Sequence, residues 1–274
     1  MRFQRRSSSH MRILTKGINL ADFFARFPET SERLLVLDYD GTIAPFRIDR
    51  AQAYPYPGIT DSIESIMRAE RSRVVIISGR KIGEIVELLN MNALPELWGS
   101  HGWERMKPGG RVTSLRPGEE EIRGLDEADR FLSDSNVSSK SERKPGSIAL
   151  HWRGLSDSEA NSLRTMVLNR WREIAESSGL YVADFDGGLE LRAPGCDKGR
   201  ALENVLADSP GDSIAAYLGD DKTDEDAFRV LGRRGLGILV NAELRPTAAD
   251  IWIKPPDELY DFLSRWARAC GGDE

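Results

Sequence analysis

Cysteine is nearly absent: Cys196 and Cys270 are the only two among 274 residues. That excludes a disulfide framework and makes a reducing, cytoplasmic setting the natural expectation. No apolar run approaches the roughly 20 residues a membrane helix needs, so no membrane role is expected. No long basic block exists either. The 38 basic and 44 acidic side chains are spread along the chain for a net charge of −6, which argues against nucleic acid as a partner. Histidine is scarce, and His101 and His151 lack the companion spacing of a metal site, so both are read as packing or hydrogen-bonding groups. There is no Gly-x-x-x-x-Gly-Lys-Ser/Thr phosphate loop, no calcium-binding EF-hand and no internal repeat.

What is present centres on Leu34-Leu35-Val36-Leu37-Asp38-Tyr39-Asp40-Gly41-Thr42. Four apolar residues, too short and branched for a helix, end in two carboxylates, a glycine and a hydroxyl, the pattern of a buried strand delivering acids to a loop. Before it, residues 1–10, with Arg2, Arg5, Arg6 and serines 7–9, read as a disordered tail, Met11 being an alternative start. Leu20 to Phe27 reads as a short helix. After the central stretch come a helix from Ile59 to Ala69, a strand from Val74 to Ile77, a helix over Ile82 to Leu89 and a strand near Glu96 to Trp98. Strand and helix alternating through short connections predict a parallel sheet with right-handed crossovers.

From Trp103 to about Leu191 the texture changes. Ser147 to Arg153 alternates as a strand, and Ser156-Asp157-Ser158-Glu159 is a capping box opening a helix to about Ser177. Tyr181–Phe185 and Leu189–Arg192 are joined by the turn Asp186-Gly187-Gly188, which predicts an antiparallel hairpin. The earlier alternation then resumes with a helix over Gly199 to Ala207, a strand over Ile214 to Leu218, a helix around Glu225 to Leu231, two more strands and a closing helix. The expected architecture is α/β, with a split core (33–102 and 192–274), an inserted α+β domain (103–191) and an N-terminal tail with a short helix (1–32).

Four polar loops fall at strand ends or helix starts in the core: Asp38 to Thr42, Ser78-Gly79-Arg80, Asp197-Lys198-Gly199, and Gly219 to Asp226. Singly, each reads as an ordinary capped turn. Together they hold what phosphoryl transfer needs: an in-line nucleophile, donors to the phosphoryl oxygens, and a cation. Asp38, Ser78 with Thr42, Lys198 and the Asp220 cluster provide these in turn. Magnesium, which takes oxygen ligands from one or two carboxylates plus phosphate and water, suits Asp38 and Asp220 with Asp224 nearby. Asp40, two residues past Asp38, is placed to protonate a leaving oxygen and then activate water.

The order Asp-x-Asp-Gly-Thr, Ser-Gly-Arg, Asp-Lys-Gly, Gly-Asp-Asp-x-Thr-Asp-Glu-Asp resembles the haloacid dehalogenase superfamily. In detail it resembles the trehalose-6-phosphate phosphatases, through Gly219 to Phe228, Gly99-Ser100-His101-Gly102, and Glu142-Arg143-Lys144 followed by Ser147 and His151-Trp152-Arg153. The resemblance runs from about Leu34 to Phe262. It implies a Rossmann-like parallel-sheet core with an inserted, mobile α+β cap domain. It also implies Asp38 as nucleophile, Asp40 as general acid and base, and Ser78 and Lys198 as phosphate holders. Magnesium (Mg2+) would be held by Asp38, the Asp40 carbonyl and Asp220, with Asp224 in support. Thr42 and Arg80 would lie on the substrate side, and Glu142, Lys144 and Glu190 would bond sugar hydroxyls. The chain departs from the family at Arg192-Ala193-Pro194, where proline more often follows the basic residue directly.

The expectation is therefore a Mg-dependent phosphatase acting on a small-molecule sugar phosphate, trehalose 6-phosphate, through an aspartyl-phosphate. A monomer is expected, with a separate trehalose-6-phosphate synthase upstream. Two alternatives stand beside it: the same chemistry on another sugar phosphate, such as glucosylglycerol phosphate or sucrose phosphate, and a non-catalytic sugar-phosphate sensor.

Overall fold

The computed structural model describes residues 11–69, 71–185 and 187–271. The tail expected over residues 1–10 lies outside them, as does Asp186 of the expected turn. The first part of the chain contributes strands β1 (Arg12–Ile13), β2 (Arg33–Leu37), β3 (Ser72–Ile77), β4 (Glu96–Gly99), β5 (Glu104–Met106) and β6 (Thr113–Ser114). Helices α1 (Leu20–Ala25), α2 (Ile59–Arg68) and α3 (Ile82–Leu89) lie between them. The middle part carries α4 (Glu119–Asp134), β7 (Ser141–Lys144), β8 (Ser147–His151), α5 (Asp157–Ser178), β9 (Tyr181–Phe185) and β10 (Gly188–Arg192). The last part supplies α6 (Lys198–Ala207), β11 (Ile214–Gly219), α7 (Glu225–Leu231), β12 (Gly235–Val240), β13 (Ile251–Ile253) and α8 (Asp257–Ala269).

Among the described residues these strands form a nine-stranded sheet, in the order β1-β13-β12-β11-β2-β3-β4-β5-β6, and a four-stranded one, β7-β8-β10-β9. From β13 to β4 the large sheet is parallel, as the alternating pattern predicts. Each residue of β2 is buried, the signature of a strand covered on both faces. The period of two sends Leu35 and Leu37 to one core, with Ile59, Ile63, Phe262 and Trp266, and Leu34 and Val36 to the other, with Leu202, Val205 and Phe228. The N-terminal helix is closed onto the first core by aromatic contacts, Phe27 lying 4.8 Å from Trp266 edge to face.

The middle part is a separate packing unit. Its sheet is antiparallel throughout, and Ile148, Leu150, Leu189 and Leu191 join Leu125, Leu132, Val167 and Trp171 from α4 and α5 in a core of its own. The alternate residues of the same strands, Ser147, Ala149, His151, Glu190 and Arg192, are left for the opposite face.

Two observations differ from the sequence reading. Glu104–Met106 and Thr113–Ser114, within the stretch expected to belong to the inserted domain, pair antiparallel onto the large sheet and extend it beyond β4. The sequence reading gives helix α4 no range, although Ile122, Leu125, Ala128 and Leu132 recur at helical spacing and Glu119, Glu120 and Glu121 suit its first turn; it carries Gly124 inside. That glycine is a matter of contact. A β-carbon there would stand 2.4 Å from Ser178 Oγ, so the two helices can approach only without one.

Candidate active site

The middle of the parallel sheet is where the acids emerge. β2 lies between β11 and β3, so Asp38, Asp220 and Ser78 leave neighbouring strands at their carboxyl ends, where ligands of open α/β sheets bind. Lys198 arrives at the first turn of α6, behind the Asp197 N-cap. Its Nζ donates to Asp38 Oδ1 at 2.7 Å and Asp224 Oδ1 at 2.8 Å, while Thr42 Oγ1 donates to Asp38 Oδ2 at 3.0 Å. Both oxygens of Asp38 are thereby aimed.

Asp224 is satisfied on every side. Its Oδ1 also accepts from Tyr217 Oη at 2.6 Å, and its Oδ2 accepts the Asp220 and Asp221 amides, both at 3.1 Å. It therefore shapes the loop that presents Asp220. From the other side, Arg245 Nε and Asn241 Nδ2 each donate to the Asp220 carbonyl at 3.2 Å. Gly41 matters for the same carboxylate. Its φ is +83° and a β-carbon there would stand 2.1 Å from Asp220 Oδ2, so only glycine lets the two loops meet.

The charge balance of this cluster is unequal. Carboxylate oxygens of Asp38, Asp220 and Asp224, all buried, lie within 4.8 Å of one another. Burial pushes Asp38 up to about 7, against the pull of Lys198 and with the push of Asp224. Asp220 rises well above the carboxylate range, through burial and then the charges of Asp38, Asp224 and Asp221. Lys198 moves well above its ordinary value: burial opposes this, but Asp224 and Asp38 outweigh it. A hard, oxygen-only donor set with more negative charge than its lysine offsets fits a magnesium ion.

Asp40 points elsewhere. Arg80, itself buried, grips it with two bonds of 2.7 Å, Nε to Oδ2 and Nη2 to Oδ1, and lies over the Tyr39 ring at 5.5 Å. Arg80 Nη1 donates to the Arg50 carbonyl at 3.0 Å, so its donors are committed to protein groups. Ser78 is buried at the floor with its Oγ accepting the Arg80 amide at 3.2 Å.

A cleft of about 570 Å³ opens above these residues. Asp38, Asp40, Ser78, Arg80, Lys198 and Asp220 line it from the large sheet, and Lys144, His151, Arg153, Glu190 and Arg192 from the polar face of the small one. Within that roof Lys144 Nζ lies 3.1 Å from Glu190 Oε1, which also accepts Ser147 Oγ at 2.6 Å. Glu190 is held well below its ordinary value: burial alone would raise it, but Lys144, His101 and Arg192 prevail. His101 goes down to about 4, through burial and then Arg192. At neutral pH it is uncharged, which agrees with a packing role.

The structure thus brings Asp38, Asp40, Ser78, Arg80, Lys198, Asp220, Lys144 and Glu190 onto one cleft, with Thr42 and Asp224 behind its floor. Glu142 is placed differently. It shares the polar face of β7 with Lys144, whose Nζ lies 3.9 Å away, but its carboxylate is taken by Arg50 and approached by His151 Nε2 at 3.6 Å, both of which line the cleft. Sequence reasoning did not find Arg50, Asn241 or Arg245, which sit in loops without a motif. The unusual Ala193 has a local reason. Its amide donates to the Gly146 carbonyl at 2.8 Å, a bond that proline in that place would forfeit.

A parallel core of this topology, with Asp38 at the tip of its middle strand and an α+β unit folded over it, is shared with a solved haloacid dehalogenase-like hydrolase from Bacteroides thetaiotaomicron, which has a TM-score of 0.60 at 18% identity over 85% of this chain and 97% of that one. The fold matches the C-terminal domain of Candida albicans trehalose-6-phosphate phosphatase with a TM-score of 0.75, at 19% identity over 95% of this chain and 99% of that one. Residues 36–251 match the family model described as Trehalose-phosphatase, and the chain belongs to that family. It is 30% identical over 254 residues to the Oryza sativa subsp. japonica protein named Probable trehalose-phosphate phosphatase 4, covering 86% of this chain and 66% of that protein. A solved trehalose-6-phosphate phosphatase related protein is 27% identical with a TM-score of 0.68, covering 86% of this chain and 97% of that one.

Proposed function

We propose that the protein hydrolyses trehalose 6-phosphate to trehalose and phosphate. One observation carries the reading: a nucleophile held by Lys198 and Thr42 lies at the floor of a cleft whose roof is lined by buried, paired polar side chains. Such a roof fits hydroxyls and rejects ligands that leave its groups unpaired.

In the first step a carboxylate oxygen of Asp38 attacks phosphorus, the bond to the sugar oxygen breaks, and that oxygen leaves with the proton of Asp40. In the second, a water that gives its proton to Asp40 attacks the aspartyl-phosphate, freeing phosphate and restoring Asp38. Lys198 and Ser78 orient the phosphoryl group. Lys144 and Glu190 bind sugar hydroxyls, and the closed roof excludes water until the phosphoryl group is transferred. Asp38, the Asp40 carbonyl and Asp220 would hold magnesium, with Asp224 supporting the loop, and the ion supplies positive charge against the phosphoryl oxygens.

The test is phosphate release from trehalose 6-phosphate, glucosylglycerol phosphate, sucrose 6-phosphate and glucose 6-phosphate, each with magnesium and with a chelator. Trehalose 6-phosphate is expected to lead by orders of magnitude and to fall to background on chelation, as it should in Asp38→Asn. Preference for another sugar would keep the chemistry and refute the substrate. Binding without release would make the protein a sensor.

A further inference from the structure

The loop between β12 and β13, residues 241–250, reaches back to the site from the last strands of the parallel sheet. Asn241 is fixed at both of its backbone polar atoms: its amide donates to the Ile253 carbonyl at 3.0 Å, and its carbonyl accepts Trp252 Nε1 at 2.7 Å. Arg245 is fixed through its side chain. Its Nη1 pairs with Glu225, a buried residue of α7, and donates to the Pro246 carbonyl at 2.9 Å. The other Glu225 oxygen accepts the Ala248 amide at 2.7 Å, which closes the loop onto α7.

From this base three donors converge on two carbonyls. Asn241 Nδ2 and Arg245 Nε share that of Asp220, and Arg245 Nη2 donates to that of Asp221 at 2.5 Å. On the opposite side the Asp221 amide donates to Asp224, so the peptide joining Asp220 to Asp221 is held at its oxygen and at its nitrogen. The Asp220 carboxylate in turn packs against Gly41. Each guanidinium nitrogen of Arg245 is engaged by a protein acceptor, which suits a residue that shapes the site more than one that binds substrate.

We infer that Arg245 and Asn241 are positioning residues that make the site selective for magnesium over the larger calcium ion. Magnesium demands near-octahedral oxygen ligands at about 2.0–2.1 Å, whereas calcium takes them at about 2.3–2.6 Å in looser arrangements, so a site discriminates by how far its ligands can retreat. Asp220 has little room to retreat, because its main chain is gripped from one side and its carboxylate meets Gly41 on the other. Without the grip the carboxylate is free to move: magnesium binding must then order it, while calcium gains the room it needs. The inference rests on the proposed function only in taking Asp220 as a magnesium ligand.

The test is metal binding by the full chain, stripped with a chelator and titrated with manganese(II), whose electron paramagnetic resonance signal falls on binding. Displacement of the manganese by magnesium or by calcium then gives the affinity for each. In Arg245→Met, magnesium affinity is expected to fall by about 10- to 100-fold, the scale for losing a group behind a metal ligand, and calcium affinity by less than about 3-fold. Arg245→Lys keeps the charge but cannot grip two carbonyls, so it should show the same shift in preference. Asn241→Ala should shift the preference in the same direction by a smaller factor, and it serves if the Arg245 variants do not fold. Equal losses for both ions, an Arg245→Lys or Asn241→Ala protein with the wild-type preference, or a wild type that binds no manganese would overturn the inference. Binding needs no substrate, so a shifted preference in a protein inactive on the whole sugar-phosphate panel would uphold the grip on Asp220 and refute the substrate reading. Release of phosphate from trehalose 6-phosphate with unshifted preferences in the variants would do the reverse.

Discussion

Single atoms decide whether the acidic cluster forms. Asp38 and Asp220 leave adjacent strands, and the loop carrying Asp40 must pass close under Asp220, which it does at Gly41 with φ +83°. Any β-carbon there meets Asp220 Oδ2, and the backbone conformation itself disfavours a side chain. Gly41→Ala is therefore expected to leave a folded protein whose phosphatase turnover falls by about 100-fold, the order expected for an angstrom-scale displacement. Half-saturation by magnesium should move up in parallel. Unchanged magnesium dependence with lost turnover would place the damage elsewhere. The sequence singled out the acids that the structure gathers at this scale, because Asp-Tyr-Asp-Gly-Thr is local. It could not name Arg80 as the partner of Asp40, since that pair joins residues forty positions apart on different strands.

Elements differ in how openly they announce themselves. Helix α5 was legible because it begins with a reciprocal capping box, Ser156 Oγ accepting the Glu159 amide and Glu159 accepting the Ser156 amide, and ends on Gly179 at φ 72°. Ser156→Ala removes one side of that box and should lower the stability of the inserted unit by about 1 kcal/mol, readable as faster hydrogen exchange of the α5 amides. Strands β5 and β6 were not legible. Their residues are mostly polar, and they form because a neighbouring element is already in place, β5 along the free edge of β4 and β6 along β5. Tertiary packing overrides weak local preference in such segments.

For the whole molecule the junction of the two sheets sets the response to acid. His101 follows β4 in the core, yet it packs over Gly79 and lies 3.4 Å from Glu190 on β10 of the inserted unit. Its folded value of about 4 lies below the ordinary 6.5, so between these pH values the unfolded chain binds the extra proton and the native one does not. Its contribution is complete above pH 6.5 and lost as pH falls toward 4. Glu190, also depressed, acts in the same direction below its ordinary value. Asp38, raised to about 7, acts oppositely: its contribution is present below 3.8 and lost as pH rises toward 7. Comparing wild type with His101→Gln cancels the common Asp38 effect. The wild type is expected to lose on the order of 3 kcal/mol more than the variant between pH 7 and pH 4, measured by denaturant unfolding. Parallel curves for the two proteins would show that His101 is not the buried neutral group described.

The sequence by itself determined the class of chemistry and the core that carries it. Buried strands ending in acids, a lysine at a helix start and an Asp-rich loop are short-range patterns, and the alternation of strand and helix leaves few topologies for them. The family resemblance also marked Glu142, Lys144 and Glu190, which fall on the strands that become the roof. Only the tertiary structure decided how those pieces face one another. It pairs Arg80 with Asp40, engages Glu142 with Arg50, and carries the large sheet on into β5 and β6. The reason is physical. Which charges meet across a junction depends on where two separately packed cores come to rest, and that placement is set by burial and geometry summed over both units rather than by any local run of residues.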